Sequence, residues 1–160
     1  RCTQTAQILY PKSNTIIIQD LIEYNFGEFE NLTADDLKSH PVFPAWLAGE
    51  KDAPFGESNE EFSVRIFNAM SKIIEGMMTA GVTCSAVITH GGIIMALLSA
   101  FGIPEASMHE WMTPNGCGYT VRITPSIWMR SHKFEVIGET PENPSEIYSD
   151  EEDKIYWEDV

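Results

Sequence analysis

Val87-Ile88-Thr89-His90-Gly91-Gly92 is the segment of this 160-residue chain whose residue types and order best suit chemistry on an anion. A histidine leaves the carboxyl end of an apolar run, and two glycines open the next segment. If the run is a strand and the next segment a helix, the helix start offers free backbone N–H groups and a positive dipole end, which together bind phosphate. Glycines let the backbone at Gly91 and Gly92 come close to a ligand. The imidazole of His90 can hydrogen-bond a phosphoryl oxygen or assist proton transfer near neutral pH. Taken alone, these six residues are equally compatible with a turn histidine that satisfies local backbone groups.

Such a site requires particular elements on either side. Cys84 to Thr89 has the composition of a buried strand, and Ile93 to Phe101 is helix-like. Upstream, Thr15 to Gln19 is another β-branched run of the kind found in parallel sheets. Arg1 to Leu9 is predicted to end a helix stopped by Tyr10-Pro11, because proline disfavours helical torsions in the residue before it. Ser58-Asn59-Glu60-Glu61 has the form of a capping box. Phe62, Ile66, Met70, Ile73 and Met77 then mark one apolar face up to Gly81, which predicts a helix over Asn59 to Ala80.

Between Leu21 and Glu57 the pattern is irregular, with Gly27, Gly49, Gly56, Pro41, Pro44 and Pro54. A long excursion with short helices is expected there, its aromatics Phe26, Phe29, Phe43, Trp46 and Phe55 lining a substrate pocket. Gly118 to Thr124 and Lys133 to Ile137 are expected to add strands. Asn115-Gly116 reads as a plain turn. The alternation of strands and helices predicts a single α/β domain over residues 1–140, followed by an acidic C-terminal tail at 141–160.

Composition narrows the partners. A hydrophobic share of 43% with 21% charged residues is that of a globular protein. The 24 acidic against 10 basic residues, a net charge of −14, argue against nucleic acid, whose phosphates need clustered Lys and Arg. Any phosphate site must be a local concentration of positive groups inside an acidic envelope, so the few arginines matter. Cys2, Cys84 and Cys117 are widely spaced and form no CxxC pair, which points to a reducing, cytoplasmic setting and to neither a disulfide framework nor a zinc site. The apolar window Ala86 to Ile103 is interrupted by His90, Gly91 and Gly92, so neither a membrane span nor a membrane partner is expected. The sequon Asn31-Leu32-Thr33 carries little weight.

Four segments in order resemble the histidine phosphatase, or phosphoglycerate-mutase-like, superfamily: Arg1-Cys2-Thr3-Gln4-Thr5-Ala6, Leu21-Ile22-Glu23 to Phe26-Gly27-Glu28-Phe29-Glu30, Pro54-Phe55-Gly56-Glu57-Ser58, and Thr89-His90-Gly91-Gly92. Each is degenerate by itself, but the ordered set, over roughly Arg1 to Val121, is specific. The resemblance implies a three-layer α/β/α fold with a mostly parallel central sheet. It also implies a metal-independent phosphatase or phosphomutase with no cofactor, in which a histidine attacks phosphorus and becomes phosphohistidine.

On the matched positions, Arg1 becomes the second phosphate-binding arginine, its planar donors suited to phosphoryl oxygens. Glu23 becomes the general acid that hands its proton to the leaving alkoxide. His90 becomes the second histidine, which donates to the transferring phosphoryl group. The expected substrate is a small phosphorylated compound and hydrolysis the preferred outcome, with a phosphoglycerate-type mutase as the alternative; a homodimer is left open.

The family's Arg-His-Gly, which carries the nucleophile on the first strand, is absent, and His40, His109 and His132 stand in other contexts. The first strand is therefore expected to be missing, with unpaired edges on its neighbours. Three accounts compete: a sequence that starts after the real amino end, a strand supplied by another chain, and a degenerate family member. The intact remaining motifs favour the first. A non-catalytic phospho-ligand binder or scaffold is the rival of another class, needing Arg1 and His90 but not Glu23. A metallohydrolase is a third reading, opposed by the lack of an HExxH motif or ligand spacing.

Overall fold

A computed structural model of the chain describes residues 1–142. Most of the expected tail at 141–160 lies outside the described residues. The chain divides into two compact units, one formed among the described residues by 1–23 and 65–142, the other by 24–64. No described helix is long and apolar enough to cross a membrane.

The first unit opens with helix α1, Cys2–Leu9, which ends at Tyr10 before Pro11 as expected. The longest helix is α4, Asn59–Ala80, over the predicted bounds; its residues from 65 on belong to this unit and its start to the second. The capping box forms as read: Ser58 N donates to Glu61 Oε2 at 3.0 Å, and Glu61 N donates to Ser58 Oγ at 3.1 Å. Two helices and three strands complete the unit: α5 (Gly91–Phe101), β1 (Gly102–Ile103), β2 (Gly118–Arg122), α6 (Pro125–Ser131) and β3 (Phe134–Thr140).

The sheet has the order β1-β3-β2, with β1 parallel and β2 antiparallel to β3, so its described part is mixed. Strands at Gly118 and near Lys133 were expected. Helix α6 was not, although Thr124-Pro125 signals it: Thr124 occupies the N-cap and Pro125 the first turn, where no backbone N–H is needed.

The core of this unit is built from α4, α5, α6 and β3. Ile66, Ile74, Ile93, Trp128 and Phe134 are almost wholly buried. Burial of a side chain such as isoleucine contributes roughly 1.5–3 kcal/mol relative to exposure. Phe101 packs edge-on against Phe67 and Trp128, with ring centroids 5.1 and 5.4 Å apart.

Two expected strands do not form. Thr15 to Gln19 and Cys84 to Thr89 lack ladder partners among the described residues, and the first ends in a 3₁₀ turn at Gln19–Leu21. Both have strand composition, but a strand exists only when a neighbour accepts and returns its backbone hydrogen bonds. Ile16 is 83% exposed, Ile17 64% and Val87 38%.

The second unit corrects another expectation. Its short helices, α2 (Ala34–Ser39) and α3 (Phe43–Leu47), were anticipated, but its aromatics pack chiefly on one another. Phe29 and Phe43 are buried, and Phe29 meets Phe43, Trp46 and His40 edge-on at 5.5, 5.4 and 4.9 Å. Tyr24 joins them through Phe26 and Phe62, each 5.1 Å away, and its hydroxyl donates to the carbonyl of Glu57. These rings are the core of the unit, while Phe55 stands 89% exposed.

Candidate active site

Helix α5 sets the site. His90 is its N-cap in an extended conformation, φ −108° and ψ 161°, and its carbonyl accepts the N–H of Ile94 at 3.0 Å. The histidine therefore stands just outside the helix, and Gly91 and Gly92 form the first turn, whose N–H groups have no partner within the helix. A side chain at Gly91 would meet nothing within 4 Å, so this glycine faces open space.

Glu23 comes to the same helix start. Its Oε2 accepts from Gly92 N at 3.4 Å, a long contact, and Oε1 lies 2.8 Å from where a Cβ on Gly92 would stand. The second glycine is thus needed for the carboxylate to approach. The sequence reading had both glycines of the turn bring backbone close to a ligand; in the structure Gly92 makes room for Glu23 and Gly91 faces open space.

The backbone around Glu23 is fixed by side chains. Thr89 Oγ1, one residue before His90, donates to Leu21 O at 3.0 Å. Arg65 on α4 donates from Nη1 to Asp20 O at 2.7 Å and Ile22 O at 2.8 Å, and from Nη2 to Glu23 O at 3.1 Å. Sequence reasoning missed Arg65. In a chain with 10 basic residues, a lone arginine amid the apolar face of a predicted helix was the signal available.

Arg1 lies at the N-cap of α1 and is exposed. Its guanidinium makes no hydrogen bond or ion pair among the described residues, while its carbonyl accepts from Thr5. The next residue touches the site: Cys2 Sγ lies 3.4 Å from His90 Nε2, with donor and acceptor set by the imidazole tautomer. The two half-buried side chains tie the start of α1 to the start of α5. Cys2 drew attention in the sequence only as one of three scattered cysteines, all of which are free.

The arrangement therefore joins a carboxylic side chain, an imidazole and a helix N-terminus, with an arginine one residue from the imidazole's thiol neighbour. Such a set can hold a phosphoryl group and move a proton. The other two motif segments serve the second unit. Glu28 N donates to Pro54 O and Glu57 N to Asn25 O, both at 2.9 Å. A Cβ on Gly27 would stand 2.1 Å from Pro54 O, and one on Gly56 2.5 Å from Asn25 O. These glycines let two backbones cross.

Among curated proteins and among solved structures, none matches the chain. The family model described as histidine phosphatase superfamily (branch 1) matches residues 1–133, and the chain belongs to that superfamily, which comprises phosphatases and mutases that transfer phosphoryl groups.

Proposed function

We propose that the protein hydrolyses phosphomonoesters of small organic molecules through a phosphohistidine, this chain supplying Arg1, Glu23, His90 and the N–H of Gly91. A histidine attacks phosphorus as the ester P–O bond breaks, and Glu23 gives its proton to the departing alkoxide. Water then attacks the phosphohistidine, its proton passing to the Glu23 carboxylate, and inorganic phosphate leaves. Arg1 grips two phosphoryl oxygens with its planar donors. His90 and the start of α5 stabilise the charge that grows on those oxygens.

The observation that carries this reading is the meeting of Glu23 with the His90-Gly91-Gly92 turn at one helix N-terminus. It supports a proton donor at Glu23 beside a helix start suited to an anion.

The attacking histidine is proposed to sit on a further strand laid along Thr15 to Ile18 and Cys84 to Thr89. Both segments are unladdered among the described residues, expose Ile16, Ile17 and Val87, and lead to Leu21 and Thr89, which hydrogen-bond to each other. A strand covering them would end at the site.

Incubating the full-length protein with a radiolabelled phosphate ester, quenching and mapping the label tests this. Acid-labile, alkali-stable label on a histidine other than His90 is expected. His90→Ala and Arg1→Ala should each lower kcat/KM by about 100-fold or more. Turnover with no histidine labelled, or full turnover by His90→Ala, would overturn the reading.

A further inference from the structure

Among the described residues, four successive carbonyls, those of Asp20, Leu21, Ile22 and Glu23, accept hydrogen bonds from two side chains, Arg65 and Thr89. The segment needs them because it belongs to no sheet among the described residues: a 3₁₀ turn at Gln19–Leu21 gives way to extended backbone at Ile22. Carbonyls outside a ladder must find other donors, and a segment held by none would sample many torsions. Arg65 supplies three bonds from one planar group. That group hangs from a 22-residue helix anchored by the buried Ile66, Ala69, Met70 and Ile74.

The geometry points to Arg65 as a positioning residue for Glu23, holding the backbone from which the proposed general acid projects; this rests on the proton-donor reading of Glu23. The three bonds described for the guanidinium all go to backbone carbonyls. It fixes the carbonyl of Glu23 itself at 3.1 Å and that of Ile22 at 2.8 Å, so the Glu23 side chain starts from a defined place. Thr89 pins Leu21 from the other side, and Thr89 precedes His90. The acid and the imidazole are thereby indexed to each other through backbone, and displacement of about 1 Å in such a pair is costly to proton transfer. Lysine cannot replace this fork, because a single ammonium does not present two nitrogens in a fixed plane to three carbonyls.

The test uses the leaving group as its readout in the full-length protein. An alkyl phosphate needs its leaving oxygen protonated, whereas dinitrophenyl phosphate has a leaving group stable as an anion. Measured as kcat/KM, Glu23→Gln should lose about 100-fold or more on the alkyl ester and far less on the dinitrophenyl ester. Arg65→Lys should show the same selectivity at smaller size, about 10-fold or more on the alkyl ester, with inhibition by inorganic phosphate within about threefold of the parent.

A merely structural arginine would lower both esters alike. Equal losses on the two esters in Arg65→Lys, with selective loss in Glu23→Gln, would overturn the role of Arg65 alone. Equal losses in Glu23→Gln itself would overturn the proton-donor assignment and the clamp with it. Arg65→Lys carries the test because it keeps the charge and length of the side chain on the helix surface.

Discussion

Oε1 of Glu23 lies 2.8 Å from the position a Cβ on Gly92 would take, so the second glycine of the His90-Gly91-Gly92 turn is the space into which the carboxylate fits. Gly92 has ordinary helical torsions rather than a positive φ. Alanine would suit the helix itself and collide only with Glu23. Gly92→Ala is therefore expected to leave the melting temperature within a few degrees of the parent, roughly 2–4 °C. It should lower kcat/KM on an alkyl phosphate by about 10- to 100-fold. Gly91→Ala, which meets nothing within 4 Å, should cost far less, and equal losses in the two variants would contradict this account.

The Cys2–His90 contact makes a second prediction. Cys2→Ser keeps a group able to donate to or accept from the imidazole, whereas Cys2→Val removes it. A neutral hydrogen bond contributes about 0.5–1.5 kcal/mol, so the valine variant should lose roughly 3- to 10-fold in kcat/KM and the serine variant less. Steady-state kinetics on both variants settles it. A valine variant indistinguishable from the parent would show that the thiol does not orient His90.

Capping boxes set an acid limit on stability. The Glu61 carboxyl is held below its ordinary value of 4.5 chiefly by the backbone N–H of Ser58 and then by its side chain. Glu110 behaves alike with Ser107, and Asp36 is lowered by the Thr33 side chain and backbone. Each folded carboxyl is more acidic than its unfolded counterpart, so its contribution is complete above the ordinary carboxylate value and disappears as pH falls through the lowered folded value. Thermal melts at descending pH should show that loss, and in Ser58→Ala the loss should be smaller. At neutral pH Ser58→Ala should melt roughly 2–6 °C lower.

The crossing of Gly27 and Gly56 is expected to be intolerant. Gly27 has φ +54°, and a Cβ there would stand 2.1 Å from the Pro54 carbonyl oxygen, a backbone atom that cannot swing aside. Gly27→Ala should destabilise by about 2–4 kcal/mol, combining left-handed strain with a backbone clash. Urea unfolding monitored by tryptophan fluorescence would show it as a lower midpoint. An unchanged midpoint would mean that the two segments do not need to touch.

Local features were legible in the sequence because their causes are local. The helix over Asn59 to Ala80 comes from an apolar face and a capping box, whose two hydrogen bonds join residues three apart. The His90-Gly91-Gly92 turn opening α5, the stop of α1 before Pro11, and membership of the histidine phosphatase superfamily were likewise written in short segments. Tertiary structure decided what depends on partners distant in sequence. Thr15 to Gln19 and Cys84 to Thr89 have strand composition, yet strands require neighbours to share their hydrogen bonds, and composition does not supply them. Of the expected pocket aromatics, Phe29 and Phe43 are buried and Phe26 and Trp46 pack on other rings, where apolar surface leaves water, while Phe55 stays exposed. The grip of Arg65 on the Glu23 backbone spans more than forty residues; the local pattern marks the arginine on its helix but not its partners, since only folding brings it to the carbonyls of a loop that has no ladder among the described residues.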